Sequence, residues 1–330
     1  MRFYSTSLDI NSKIDNPVRD QVISQLNNSS IEDADYVALV ITHMEDYIFD
    51  EEEFNNIKHK PFVIFDYVEY GRDSVDINHI YGENTEQFLS FIPNKNFLSL
   101  DKALKSVTIK CYFKRELPSG LNIDTYYSIY PIEYPSLNFG DFKINTEEEY
   151  NKRPIDIFFN WGWSNQSRQA LHAAFYNLSD ELDYSIISNH LHLVEEKKEK
   201  PNRLLIYSCY TPHHARLNMH NLLSLQQISK ISVSLNGCGV KCFRHSESSI
   251  NSLMALQQNN LKWTYNWDES NSIVLPNIEN KNLINAEESV FKLIKSIREK
   301  NIYNKYINCI NTNKLYNQSD YVNKLILNIK

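Results

Sequence analysis

Two of the seven glycines in this chain, Gly237 and Gly239, flank Cys238 in the segment Lys230-Ile-Ser-Val-Ser-Leu-Asn-Gly-Cys-Gly-Val-Lys-Cys-Phe-Arg-His-Ser-Glu247. An alternating apolar run precedes them and a stretch that reads as a helix follows. A strand, a tight glycine turn and a helix opening with Lys241 and Arg244 together make an anion cradle. Helix N-terminal N–H groups and the macrodipole favour phosphate, and glycine lets the backbone approach it closely. Glu247, three residues after Arg244, falls on the same helix face and suits a sugar hydroxyl, or else a surface pair with Arg244.

Two further polar loops follow strand-like runs: Asn160-Trp-Gly-Trp-Ser-Asn165 and Tyr210-Thr-Pro-His-His214. In open α/β sheets, ligands sit beyond the carboxyl ends of strands. A phosphate there would meet backbone groups of Gly162 and Ser164, then Arg168, then the Lys241/Arg244 pair. The guanidinium fork of arginine bridges phosphate oxygens well. His213 and His214 suit either a helix N-terminal turn or a catalytic pair, and His213 is kept with the donor-site candidates. Trp161 and Trp163 read as core or interface aromatics, or as a stacking platform. In the first half, Asp66-Tyr-Val-Glu-Tyr-Gly-Arg-Asp73 follows a buried strand. A carboxylate at a strand end can act as general base toward an acceptor hydroxyl, and Asp66, Glu69 and His43 are the candidates. The competing reading is an acid that caps a turn or pairs with Arg72.

The elements that must position these residues alternate between strand-like and helix-like in both halves, which predicts α/β layers with parallel strands. Val18 to Leu26 reads as a helix. Tyr36–Thr42, Pro61–Asp66, Thr108–Phe113 and Tyr126–Ile132 read as strands. Residues 138 to 154, with Gly140, Glu147 to Glu149 and Pro154, have the composition of a border. The predicted division is therefore 1–150 and 151–330. In the second half Ile155–Asn160, Asn202–Tyr210, Ile231–Leu235 and Ser272–Leu275 read as strands. Arg168–Leu178, His213–Gln227 and Ala286–Lys300 read as helices.

The 330 residues suffice for two ordinary domains, and 42% hydrophobic content fits globular packing. A net charge of −7 argues against broad nucleic-acid or anionic-membrane binding, so no nucleic-acid partner is expected. The basic run Lys197, Lys198 and Lys200 is interleaved with acids and reads as a solvated loop. Five scattered cysteines make no disulfide framework, and Cys238 with Cys242 lacks a second ligand pair at zinc spacing. No apolar run is long enough for a transmembrane helix, and the N-terminus lacks a signal h-region, so a cytoplasmic location is expected.

The segment Ser229-Lys-Ile-Ser-Val-Ser-Leu-Asn-Gly-Cys-Gly-Val-Lys-Cys-Phe-Arg-His-Ser-Glu247 resembles the donor-binding segment of GT-B glycosyltransferases, particularly their exostosin-like and CgeB-like groups. Arg153-Pro-Ile-Asp-Ile-Phe-Phe-Asn-Trp-Gly-Trp-Ser-Asn-Gln-Ser-Arg-Gln-Ala-Leu171 is similar to the first strand–loop–helix of the same domain. The resemblance spans roughly residues 153 to 280. It implies two Rossmann-like domains facing a cleft, with an acceptor domain at 1–150. The nucleotide-sugar domain, with C-terminal helices, would be 151–330. It further implies that Arg244 binds the diphosphate, Glu247 binds the ribose or transferred sugar, and Gly162 and Arg168 lie near the phosphates. The implied activity is sugar transfer from a nucleotide sugar to a hydroxyl on a glycan, glycolipid or protein, without metal or cofactor. The chain departs from the group after Glu247: Ser248 to Met254 lacks the usual Gly-plus-Pro pattern, and Gln257 to Asn260 stands where a strand is expected. A non-catalytic nucleotide or sugar-phosphate binding protein with the same fold is the alternative.

Overall fold

A computed structural model describes residues 1–10, 17–42, 48–67, 98–115, 117, 127–133, 144–161, 166–187, 203–210, 219–235, 243–257, 263–278, 283–316 and 321–327. In chain order the elements are β1 (Phe3–Thr6), α1 (Pro17–Ser24), β2 (Tyr36–Ile41), α2 (Glu51–Ile57), β3 (Phe62–Asp66), α3 (Leu98–Leu104), β4 (Ile109–Lys114) and β5 (Ser128–Pro131). They continue with α4 (Glu147–Asn151), β6 (Ile155–Trp161), α5 (Gln166–Asn177), β7 (Tyr184–Ile187), β8 (Leu204–Tyr210), α6 (Met219–Gln227) and β9 (Ser229–Ser234). The last are α7 (Phe243–Asn251), β10 (Leu253–Gln257), β11 (Ile273–Leu275), α8 (Leu283–Ile297), α9 (Ile302–Tyr316) and α10 (Tyr321–Ile326).

The chain forms two compact units, one of Met1–Phe139, Asn260–Thr264 and Tyr316–Lys330, the other of Gly140–Asn259 and Tyr265–Leu315. This differs from a single cut after residue 150, because the C-terminal segment packs with the first unit. The reason is a buried acid: Glu133 accepts from Tyr321 Oη at 2.9 Å and from the Thr264 backbone N–H at 2.8 Å. Val322 N–H adds a 2.9 Å bond to Gln25 Oε1. The expected border also proves partly helical. Thr146 and Glu149 form a capping box, so the three glutamates 147–149 are the first turn of α4 rather than linker.

The first unit holds a five-stranded parallel sheet in the order β1-β2-β3-β4-β5. β2 and β3 are apolar along nearly their whole length and buried on both faces, as parallel strands require. Val37, Leu39, Ile64, Tyr112 and Leu100 share its core with Phe54 and Ile57 of α2. Because the strand order is sequential, the described strands of this sheet contain no reversal of winding.

The second unit holds a six-stranded parallel sheet in the order β11-β10-β9-β6-β8-β7. Helices cover both faces. α5 lies on the face of Phe159 and Trp161, touching them through Phe175 and His172, and α8 packs beside it. α6 lies on the opposite face, where Leu222 and Leu225 meet Leu205, Tyr207 and Cys209. α7 shares that face through Ser252, which donates to Ser248 O and lies 2.5 Å from Ser232 Oγ. Fold class therefore agrees with the sequence: α/β, with parallel sheets in both halves. Among the described residues no helix is long and apolar enough to cross a membrane.

Candidate functional site

In the second sheet the chain leaves β6 toward β7 on one side and leaves β9 toward β10 on the other. Opposite departures from adjacent strands put a topological switch point at the carboxyl ends of β6 and β9, where α/β sheets bind ligands. α5 begins at Gln166 after β6, and α7 begins at Phe243 after β9. Neither helix carries an acidic residue in its first turn, whereas α2 and α4 carry three glutamates each there. The N-termini at the switch point therefore keep their positive dipole ends uncompensated by a local carboxylate.

Arg168, in the first turn of α5, reaches across this switch point. Its Nη2 donates to the Leu235 carbonyl, one residue past β9, at 3.1 Å. The residue is 7% exposed, so a cation predicted near the phosphates sits deep between the two strand ends. Its guanidinium sets the position of the β9 exit and contributes a fixed positive charge beside it.

The strand faces bring two further polar side chains to the same place. Ile157 pairs with Ile231 and Phe158 with Ser232, so the continued register sets Asn160 and Ser234 at matching positions on the α7 face. Both are buried. Ser234 Oγ has no hydrogen-bond partner, an arrangement that costs about 1–3 kcal/mol in a folded interior. Sequence reading missed Ser234. Its signal was the period-two alternation Lys230, Ser232, Ser234, which aligns three polar residues on one face of the strand opposite Ile231 and Val233.

On α7, Glu247 is 8% exposed and His245 is 3% exposed. Burial of Glu247 speaks against a solvent-exposed pair with Arg244. Arg244 is the second residue of α7, at the helix end beside the switch point, and its side chain lies outside the described residues. Gly162, Ser164, His213, Gly237, Gly239, Lys241 and Trp163 also lie outside them, as do His43 and Glu69. Trp161 is buried, with its ring 6.3 Å from Phe159 and 4.7 Å from His172, which makes it a core aromatic rather than a stacking platform.

Asp66 closes β3 and is 0% exposed. Its Oδ2 receives Lys114 Nζ at 2.6 Å and Tyr112 Oη at 2.6 Å. Asp66 pairs with Lys114 across the β3–β4 register, and Lys114 is equally buried. Asp66 thus forms an interior ion pair with Lys114, and Arg72 lies outside the described residues. Parallel pairing explains it, since residues at matching register on neighbouring strands share a face. Arg115 and Glu133 are also buried at this sheet edge, and both act electrostatically on Tyr67, whose hydroxyl is driven well above its usual range mainly by burial.

A third polar contact joins α5 to β8: His172 Nδ1 lies 2.7 Å from Ser208 Oγ. Burial holds the His172 imidazole below its ordinary pKa, which favours the neutral ring.

No family model matches the sequence, and no curated protein matches it. Among solved structures the chain is similar to an alpha-glucosyltransferase in complex with UDP-glucose and DNA containing an abasic site. That likeness has a TM-score of 0.50 at 11% identity, covering 99% of this chain and 90% of that one. It is also similar to the GtfA/B complex, with a TM-score of 0.51 at 10% identity, covering 89% of this chain and 57% of that one. The fold is that of the GT-B glycosyltransferases, with two parallel-strand sheets.

Proposed function

We propose that this protein is a glycosyltransferase that moves a sugar from a nucleotide-sugar donor to a hydroxyl acceptor. The observation that carries the reading is the β6/β9 switch point. Two helix N-termini without acidic first turns meet there, and the buried Arg168 bridges the strand exits. Such a place suits a diphosphate, the charged and departing part of a nucleotide sugar. Fixed positive groups and helix dipoles would stabilise charge on the leaving diphosphate, and in this reading no divalent ion is called on. Arg244, Lys241 and the glycine-flanked turn would complete the phosphate contacts, and Glu247 would orient the ribose or sugar. The exostosin-like or CgeB-like affiliation rests on the sequence resemblance of the Ser229–Glu247 and Arg153–Leu171 segments.

On the acceptor side, the interior pairing of Asp66 turns attention to Glu69 and His43 as bases. The acceptor is a carbohydrate, glycoconjugate or nucleic acid. Net charge of −7 does not exclude the last, since the alpha-glucosyltransferase of similar fold holds DNA together with UDP-glucose. An acidic overall balance constrains long-range attraction and leaves a local acceptor surface open.

The test is incubation of the full chain with UDP-, GDP-, dTDP- and CMP-sugars, alone and with oligosaccharide, glycolipid, protein and hydroxylated-base DNA acceptors. Acceptor-dependent release of nucleoside phosphate is expected with one donor. Nucleotide binding without release would favour a non-catalytic binding protein, and neither binding nor release would overturn both readings.

A further inference from the structure

We propose that Ser234 is a donor-site residue whose hydroxyl donates a hydrogen bond to a phosphate oxygen of the bound nucleoside diphosphate. This inference rests on the donor-site reading above and adds a residue that no motif or resemblance singled out. The first observation is placement. Ser234 is the last residue of β9 and stands at the switch point, level with Asn160 of β6. Ser232, two residues earlier, is linked through Ser252 to Ser248 O of α7, so this strand face is the one α7 covers. α7 runs back along β9, so the Ser232 contact marks the C-terminal end of the helix and Ser234 lies closer to its N-terminal end than Ser232 does.

The second observation is the state of the hydroxyl. Among the described residues, no other buried serine hydroxyl of this unit lacks a partner. Ser229 donates to Leu225 O at 2.6 Å, and Ser249 donates to His245 O at 2.7 Å. Ser252 and Ser232 bond to each other, and Ser208 pairs with His172. Ser234, at 1% exposure, has no partner for Oγ. A small apolar residue would fill the same space without that penalty, so an unpartnered donor at the end of β9, beside the switch point, points to an acceptor that arrives with the ligand. Phosphate oxygen fits on three counts: it only accepts, it is drawn to the helix end, and the diphosphate is the compact part able to seat against a strand terminus. A sugar hydroxyl would bring a donor of its own and gain less from the dipole.

Calorimetric titration of the full chain with UDP, inorganic pyrophosphate and uridine tests the proposal, using wild type, Ser234→Ala and Ser234→Cys. If the donor proves to be another nucleotide, its diphosphate and nucleoside replace UDP and uridine. Ser234→Ala removes an unpaired hydroxyl, so its thermal midpoint should stay level or rise by about 2–4 °C. UDP and pyrophosphate affinity should fall about 5–10-fold in both variants, with uridine binding unchanged. Ser234→Cys keeps nearly the same volume and loses the strong donor, so it separates the hydrogen bond from packing. Wild-type UDP affinity in either folded variant overturns the role of Ser234 and leaves the donor-site reading standing. A wild-type chain that binds no nucleoside diphosphate overturns both.

Discussion

The interior pair of Asp66 and Lys114 shows how a strand-end carboxylate can be read two ways. Its residue type and position fitted a general base, and its surroundings make it a counter-ion at 2.6 Å from an equally buried ammonium. A charge stranded in such an interior is expensive, so Lys114→Met should cost about 3–5 kcal/mol of folding stability in urea denaturation. The double variant Lys114→Met with Asp66→Leu should recover much of that loss, because no unpaired charge is left. Loss of transfer activity in Asp66→Asn at undiminished stability would contradict the counter-ion role. The sequence could not supply this assignment, since Lys114 lies 48 residues from Asp66 and only the parallel register brings them together. The same limit hid Ser234, whose meaning depends on which helix covers its strand face.

At the scale of elements, strands with an apolar run or alternation and periodic helices were legible, and several short elements were not. β2, β3, β6 and β8 follow from near-continuous apolar runs, β9 from apolar alternation, and α5 and α8 from their periodicity. β1, β7 and β10, of four or five residues each, were missed. β10 in particular occupies Leu253–Gln257 and ends on the first residue of the stretch Gln257 to Asn260, which stands where a strand is expected. α2 was also missed, although Asp50 caps it by accepting from Glu53 N–H at 2.9 Å and acids fill its first turn. The α5–β8 contact carries a pH prediction. Burial lowers the His172 pKa in the folded state below its unfolded value near ~6.5, so the unfolded chain takes up the proton first as pH falls. Stability contributed by the neutral ring is therefore present above that value and lost as pH drops through it. Denaturation midpoints measured from pH 7 to 5 should fall less steeply in His172→Gln than in wild type. Equal slopes would show that the imidazole does not titrate in this way.

For the whole molecule, the two sheets differ in their winding. The first runs sequentially and ends in a buried set of charges at its carboxyl edge, while the second reverses at β6 and β9. In the proposed reading the reversal, more than either glycine, is where the donor diphosphate would sit, and Arg168 and Arg244 begin two different helices beside it. The return of α10 to the first unit lay beyond the sequence signal, because it depends on Glu133 meeting Tyr321 across 188 positions. The most direct measurement of the account is calorimetric titration of the intact chain with UDP, GDP, dTDP and CMP, repeated on Arg244→Ala. One nucleotide should bind at a single site, with affinity reduced roughly tenfold or more in Arg244→Ala at an unchanged unfolding midpoint. Absence of binding to all four, or equal affinity in the folded variant, would contradict the assignment of the second sheet's switch point as the donor site.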